Sequence, residues 1–144
     1  TLNANERWLT SLPMIRSNQD HGRPKFNRSY SGGIISANGR RYANGIGSHS
    51  NSELVFELPE NASTFSFSAG LDDGSRKADV QFIVKADGEV VWESDVVYAS
   101  DWFSVRGEID VSGVKELTLI IDKVTDDKWD HANWVNPIII LDEE

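Results

Sequence analysis

Asp79-Val80-Gln81-Phe82-Ile83-Val84-Lys85-Ala86-Asp87-Gly88-Glu89-Val90-Val91-Trp92-Glu93 reads as two strands and the turn that joins them. Val80, Phe82 and Val84 fall on every second residue, the period of a strand with one buried face. Asp87-Gly88 is a pair that accepts positive φ at both positions, which a two-residue hairpin turn demands. Trp92 then faces the core together with Val90. Outward from this hairpin the pattern repeats. In residues 52–58, Leu54, Phe56 and Leu58 alternate with Glu53, Val55 and Glu57, and in 64–69, Phe65 and Phe67 alternate with serines. Residues 103–110, 116–122 and 134–141 complete the downstream set. Upstream, Ile34-Ile35 and Arg41-Tyr42 flank Asn38-Gly39, a second hairpin candidate. Residues 3–33 are the least regular, with a short strand or helical turn expected at 8–12. Many short strands with turn residues between them indicate an all-β fold, an antiparallel β-sandwich or jelly roll.

The 144 residues suit a single domain over 1–144, and a chain of this size buries roughly 70% of its unfolded surface. Fourteen Lys and Arg against 23 Asp and Glu give a net charge of −9, which excludes a phosphate-backbone binder and an anionic membrane surface as partners. With no cysteine there is no disulfide, thiolate metal site or cysteine nucleophile. The first residue is Thr rather than Met, so the chain reads as a processed product or a piece excised from a longer protein.

Strand direction supplies geometry. If successive strands run in opposite directions, the connections at one end are short and those at the other long: 70–78, 94–102 and 123–133, with 45–49 and 16–33 at the same end. Long loops on one rim of a rigid scaffold are where binding residues concentrate. This rim collects His21, His49 and His131, the aromatics Trp102, Trp129 and Trp134, and the acids Asp72, Asp73, Asp126, Asp127 and Asp130. Aromatic faces beside planar hydrogen-bonding groups suit a neutral polyhydroxylated ligand such as a sugar. Asp72-Asp73 before Gly74 reads either as a turn that binds its own backbone or as part of a calcium site. No cofactor is required by anything else in the chain. Nor does an enzyme emerge: no Gly-x-Ser-x-Gly or His-Glu-x-x-His is present, and nothing singles out a glycosidase carboxylate pair.

Four ordered segments resemble the NPCBM domain, carbohydrate-binding module family 51. They are Tyr42-Ala43-Asn44-Gly45-Ile46-Gly47-Ser48-His49, Gly70-Leu71-Asp72-Asp73, Val111-Ser112-Gly113-Val114-Lys115-Glu116-Leu117-Thr118-Leu119 and Asp130-His131-Ala132-Asn133-Trp134. The resemblance implies a galactose-binding-domain-like β-sandwich, secreted to an extracellular or periplasmic location. It implies a non-catalytic module, covalently attached to a glycoside hydrolase, that binds galactose-containing or related glycans. It points to His49, Asp130, His131 and Trp134, joined by Trp102 and His21 from the rim, as binding residues. In the roles inferred for them, Trp134 or Trp102 stacks on the sugar, the two histidines pair with hydroxyls, and Asp130 accepts a hydrogen bond or orients His131. Three positions depart from the family pattern. Ser48 replaces Thr, Asn133 replaces Asp, and Asp20-His21-Gly22 stands where many members carry Gly-Trp-Gly. The last change leaves a second reading open, a protein-interaction or scaffold module that has lost its sugar site.

Overall fold

The computed structural model describes residues 2–75, 78–98, 105–125 and 130–142. Among them fourteen strands form two large antiparallel sheets and one hairpin. The first sheet is built from β1 (Glu6–Trp8), β3 (Lys25–Phe26), β6 (Gly45–His49), β8 (Ala62–Leu71), β12 (Val105–Asp110) and β14 (His131–Leu141), in the order β12-β8-β14-β6-β3 with β1 also on β14. The second holds β2 (Met14–Gln19), β7 (Ser52–Glu57), β9 (Asp79–Ala86), β10 (Glu89–Glu93), β11 (Val97–Tyr98) and β13 (Glu116–Lys123), in the order β10-β9-β13-β7-β2 with β11 also on β9. β4 (Ile35–Ala37) and β5 (Arg40–Tyr42) pair only with each other. A 3-10 turn, Leu9–Ser11, follows β1.

The core lies between the two sheets, as period-2 patterning dictates. Leu54 and Phe56, Val80, Phe82 and Val84, and Leu117, Leu119 and Ile121 come from the second sheet; Ile46, Phe65, Ala69, Ala132 and Trp134 face them from the first, all fully buried. The two expected hairpins form on the turn chemistry the sequence supplies. Asp87 and Gly88 have φ of 48° and 87°, and Asn38 and Gly39 have 53° and 76°. Asp87 also reaches across, its carboxylate accepting from the backbone N–H groups of Lys115 and Glu116.

Three expectations change. Residues 45–49 are not a rim connection but β6, an interior strand paired with β14 and β3 and buried throughout. The segment before Gly33 contributes β2 and β3, edge strands of the two sheets. Val90 is 53% exposed, because a register shift between Val90 and Trp92 turns it away; Trp92 alone packs on the core, edge-on to Phe67.

Candidate functional site

β6 and β14 lie side by side in register, and His49 stands directly opposite His131. Directly opposed residues share a sheet face and lie close enough to touch. The two rings meet edge-on, with centroids 5.3 Å apart. Their face is the outer one: Trp134 and Ile46, an odd number of residues from His131 and His49, point into the core.

The segment before the β4–β5 hairpin lies over this outer face, and two glycines make the approach close enough. A Cβ on Gly47 would stand 2.2 Å from the Arg28 carbonyl oxygen and 2.6 Å from Ser29 Cα; one on Gly45 would meet the Trp134 carbonyl oxygen at 2.4 Å and Ile35 Cδ1 at 2.9 Å. The Gly-Ile-Gly of β6 is thus a steric requirement on its outer side, with Ile46 filling the core between. The covering segment brings Tyr30, whose ring lies 5.0 Å from His49 and 4.8 Å from His131. From the loop after β2, His21 adds a fourth ring, 4.9 Å from His49. Gly22, at φ 60°, lies against the Tyr30 hydroxyl. His21 is exposed and Tyr30 and His131 are half-buried, while His49 forms the floor.

Behind the floor is a polar relay. His49 Nδ1 donates to the Ser50 carbonyl oxygen at 2.7 Å, because a carbonyl can only accept; in the neutral ring Nε2 is then the acceptor. Ser50 Oγ donates to Asp130 Oδ2 at 2.5 Å. Asp130 is fully buried, and its Oδ1 has no hydrogen-bond partner among the described residues. Burial pushes its carboxyl up from 3.8 to about 6, the nearby Asp79 charge adding to the effect and the Ser50 hydroxyl and His49 opposing it. His131 is held below its usual 6.5, chiefly by burial and then by His49, so it is neutral at pH 7.

On the other side of His131, Ser75 Oγ donates to the His131 carbonyl oxygen. Asp72 ties the neighbouring loops together: Oδ1 accepts from Asn133 Nδ2 at 3.0 Å and Oδ2 from the Gly74 N–H at 3.0 Å. Asp73 Oδ2 accepts from the Gly39 N–H. The donors facing these two carboxylates are N–H groups, the arrangement of a loop clasp, and no group of three or more metal-ligating side chains gathers among the described residues.

The rim reading therefore brings His21, His49 and His131 together. Trp134 is corrected: its ring is fully buried between the sheets, edge-on to Phe67 and Phe82, and offers no face to a ligand. Asp130 is placed behind Ser50 rather than at the surface. Trp102, Trp129, Asp126 and Asp127 lie outside the described residues. Tyr30 was missed, although it is the one tyrosine in a loop already assigned to the rim.

The NPCBM/NEW2 domain family matches residues 5–140. Alpha-1,3-galactosidase B of Akkermansia muciniphila is 35% identical over 133 residues, 88% of this chain and 16% of that protein. The chain thus spans about a sixth of the curated relative it matches. Among solved structures, CBM51-2 with the INT domains of Clostridium perfringens ZmpB, in complex with GlcNAc, superimposes with a TM-score of 0.87 at 30% identity, over 94% of this chain and 31% of that one. CBM51 from Clostridium perfringens GH95, in complex with methyl-galactose, gives 0.85 at 24% identity, over 93% of this chain and 99% of that one, a likeness of fold. With nearly its whole length matched and its fold shared, this chain belongs to the NPCBM/NEW2 domain family, a family of carbohydrate-binding modules with a galactose-binding-like β-sandwich.

Proposed function

We propose that the domain binds a neutral, galactose-class sugar at the rim formed by His21, Tyr30, His49 and His131, leaves it chemically unchanged, and serves an attached glycoside hydrolase outside the cell. One observation carries this reading: four planar rings from four separate parts of the chain converge, each with its centroid 4.8 to 5.3 Å from at least one other, on an otherwise acidic domain. A pyranose offers C–H faces for rings and hydroxyls that both donate and accept. His49, its Nδ1–H held by the Ser50 carbonyl oxygen, offers Nε2 to a sugar hydroxyl, and His131 adds a second imidazole beside it. Tyr30 and His21 supply ring faces and a phenolic hydroxyl at the open side. Asp130 does not touch the ligand; through Ser50 it is a positioning residue for the His49 ring. The kinship with a galactosidase and with modules solved with methyl-galactose and GlcNAc supports the sugar class and the attachment.

The test is calorimetric titration with methyl-galactoside, GlcNAc, arabinosides and mucin-type glycans. Binding of a galactoside is expected, and His131→Ala or Tyr30→Ala should weaken it about tenfold, the loss of one hydrogen bond or ring contact in a shallow site. Absence of binding across the set, or variants that bind as the parent does, would overturn the proposal.

A further inference from the structure

Charge is unevenly placed in this acidic chain. Residues 14–45 hold Arg16, Arg23, Lys25, Arg28, Arg40 and Arg41 against one acid, Asp20, a net of +5 where the remainder carries −14. Arg16 is used by Glu116, at 2.6 Å. The Lys25 ammonium donates to the Tyr30 carbonyl oxygen and lies 5.2 Å from the centre of the Tyr30 ring. Arg28 and Arg41 are exposed, and neither forms an ion pair among the described residues. They meet on one groove of about 370 Å³, lined also by Asn27, Ile34, Tyr42 and Ala43. Ile34 is 54% exposed there and Tyr42 half-buried, so an apolar wall stands beside two unneutralised guanidinium groups.

The walls are held in place before any ligand arrives. The Asn27 N–H donates to the Gly45 carbonyl oxygen at 2.7 Å, and Asn27 Oδ1 accepts from the Gly45 N–H at 3.1 Å. The β4–β5 hairpin is anchored by buried Ile35, by Asp73 at Gly39 and by Asn133 Nδ2 donating to the Ser36 carbonyl oxygen. The groove and the ring cluster draw on one segment: Arg28 lines the groove and Tyr30, two residues on, belongs to the cluster.

We infer that this groove takes the anionic substituent, a sulfate ester or a carboxylate, of a sugar whose pyranose packs on Tyr42 and Ile34. The inference rests on the reading of the domain as a carbohydrate-binding module. Guanidinium matches both groups because its planar fork pairs with two oxygens at once. The apolar wall requires more of the ligand than charge, since a bare anion gains nothing from Tyr42 and Ile34. The surrounding charge of −14 selects in the same direction: a polyanion is repelled by the rest of the surface, whereas a single charged group on a neutral sugar is not.

The experiment compares lactose with its 3′-sulfated and 3′-sialylated derivatives, and with poly-glutamate, on the parent domain, on Arg28→Gln/Arg41→Gln and on His131→Ala. Glutamine keeps the stem of each arginine and removes its charge. Lactose itself is expected to bind the parent and the double arginine variant equally. At least one anionic derivative should bind the parent about tenfold more tightly than lactose at low salt, the advantage shrinking as salt rises and vanishing in the double variant. The derivative that gains identifies sulfate or carboxylate as the group held. Anionic binding that survives in the parent when lactose fails to bind supports the groove and overturns the neutral-sugar rim. Equal affinity for lactose and both derivatives overturns the groove and leaves the rim standing. Failure of every ligand overturns both, and poly-glutamate binding as tightly as the sugars, lost in the double variant, overturns the saccharide assignment.

Discussion

Replacing Asp130 by Asn tests whether a buried carboxylate lies under the ring cluster at the cost the geometry implies. Asp130 is fully buried, with one oxygen on Ser50 Oγ and the other without a partner among the described residues. Burial raises its carboxyl from 3.8 to about 6, so the folded protein holds that proton more tightly than the unfolded chain by about 3 kcal/mol. A raised folded value adds stability that is fully present below pH 3.8 and lost as pH rises through about 6. His131 acts in the opposite sense: its lowered value adds stability above 6.5 that is lost as pH falls through its folded value. The pH profile of the parent alone therefore mixes the two. The difference between Asp130→Asn and the parent isolates Asp130, because the His131 contribution is common to both. Urea denaturation at intervals from pH 4 to pH 7.5 should show the variant gaining on the parent by about 2.4 kcal/mol across that range, whatever the amide costs at any single pH. The amide oxygen can still accept from Ser50. A difference that stays constant to within about 0.5 kcal/mol would refute the claim that Asp130 is ionised in a poorly compensated site.

Gly47→Ala would set a methyl 2.2 Å from the Arg28 carbonyl, a backbone atom that moves only with its segment. A loss of about 1–3 kcal/mol is expected, read as a lowered melting temperature, together with weaker sugar binding as the segment carrying Tyr30 is pushed away. Trp134→Phe should cost about 1–2 kcal/mol in urea denaturation through the cavity left between Phe67 and Phe82, with sugar titration unchanged. Changed affinity at unchanged stability would return Trp134 to the site. Because Asp72 and Asp73 face N–H donors, adding a chelator should leave the melting temperature where it was, and a drop would reinstate a bound cation.

The parts of the fold that were legible share a local cause. β7, β9 and β13 place large buried apolar residues at every second position, and Asp87-Gly88 and Asn38-Gly39 carry the residues their turns require. β6 was not legible for the opposite reason. Gly45-Ile46-Gly47-Ser48-His49 is buried on both faces, so it shows no alternation, and its glycines answer to residues 28, 29, 35 and 134 rather than to neighbours in sequence. β2 is a mainly polar edge strand with a register shift between Met14 and Arg16. Grouping the three histidines on one rim needed only strand direction, and the rings do meet. Placing Trp134 beside them ignored a signal already in the sequence. His131 and Trp134 are three residues apart in one strand, and an odd separation puts them on opposite faces.

That parity also explains how one strand serves two ends. Through Ala132 and Trp134, β14 closes the core; through His131 and Asn133 it lines the outer face, where the covering segment and the Asp72 loop meet. The site is therefore not a mouth of the sandwich interior but a surface roofed by loops. Residues that face inward are constrained by packing at crystal-like density, where a single methylene is felt. Residues that face outward are constrained only by what the loops bring against them. The loop after β2 brings the His21 ring to His49, outside the core that Ile46 and Trp134 share. The acidic bulk of the chain and the basic bias of residues 14–45 coexist, Arg28 lying on the segment that covers Gly47 and Arg41 on the hairpin that follows it.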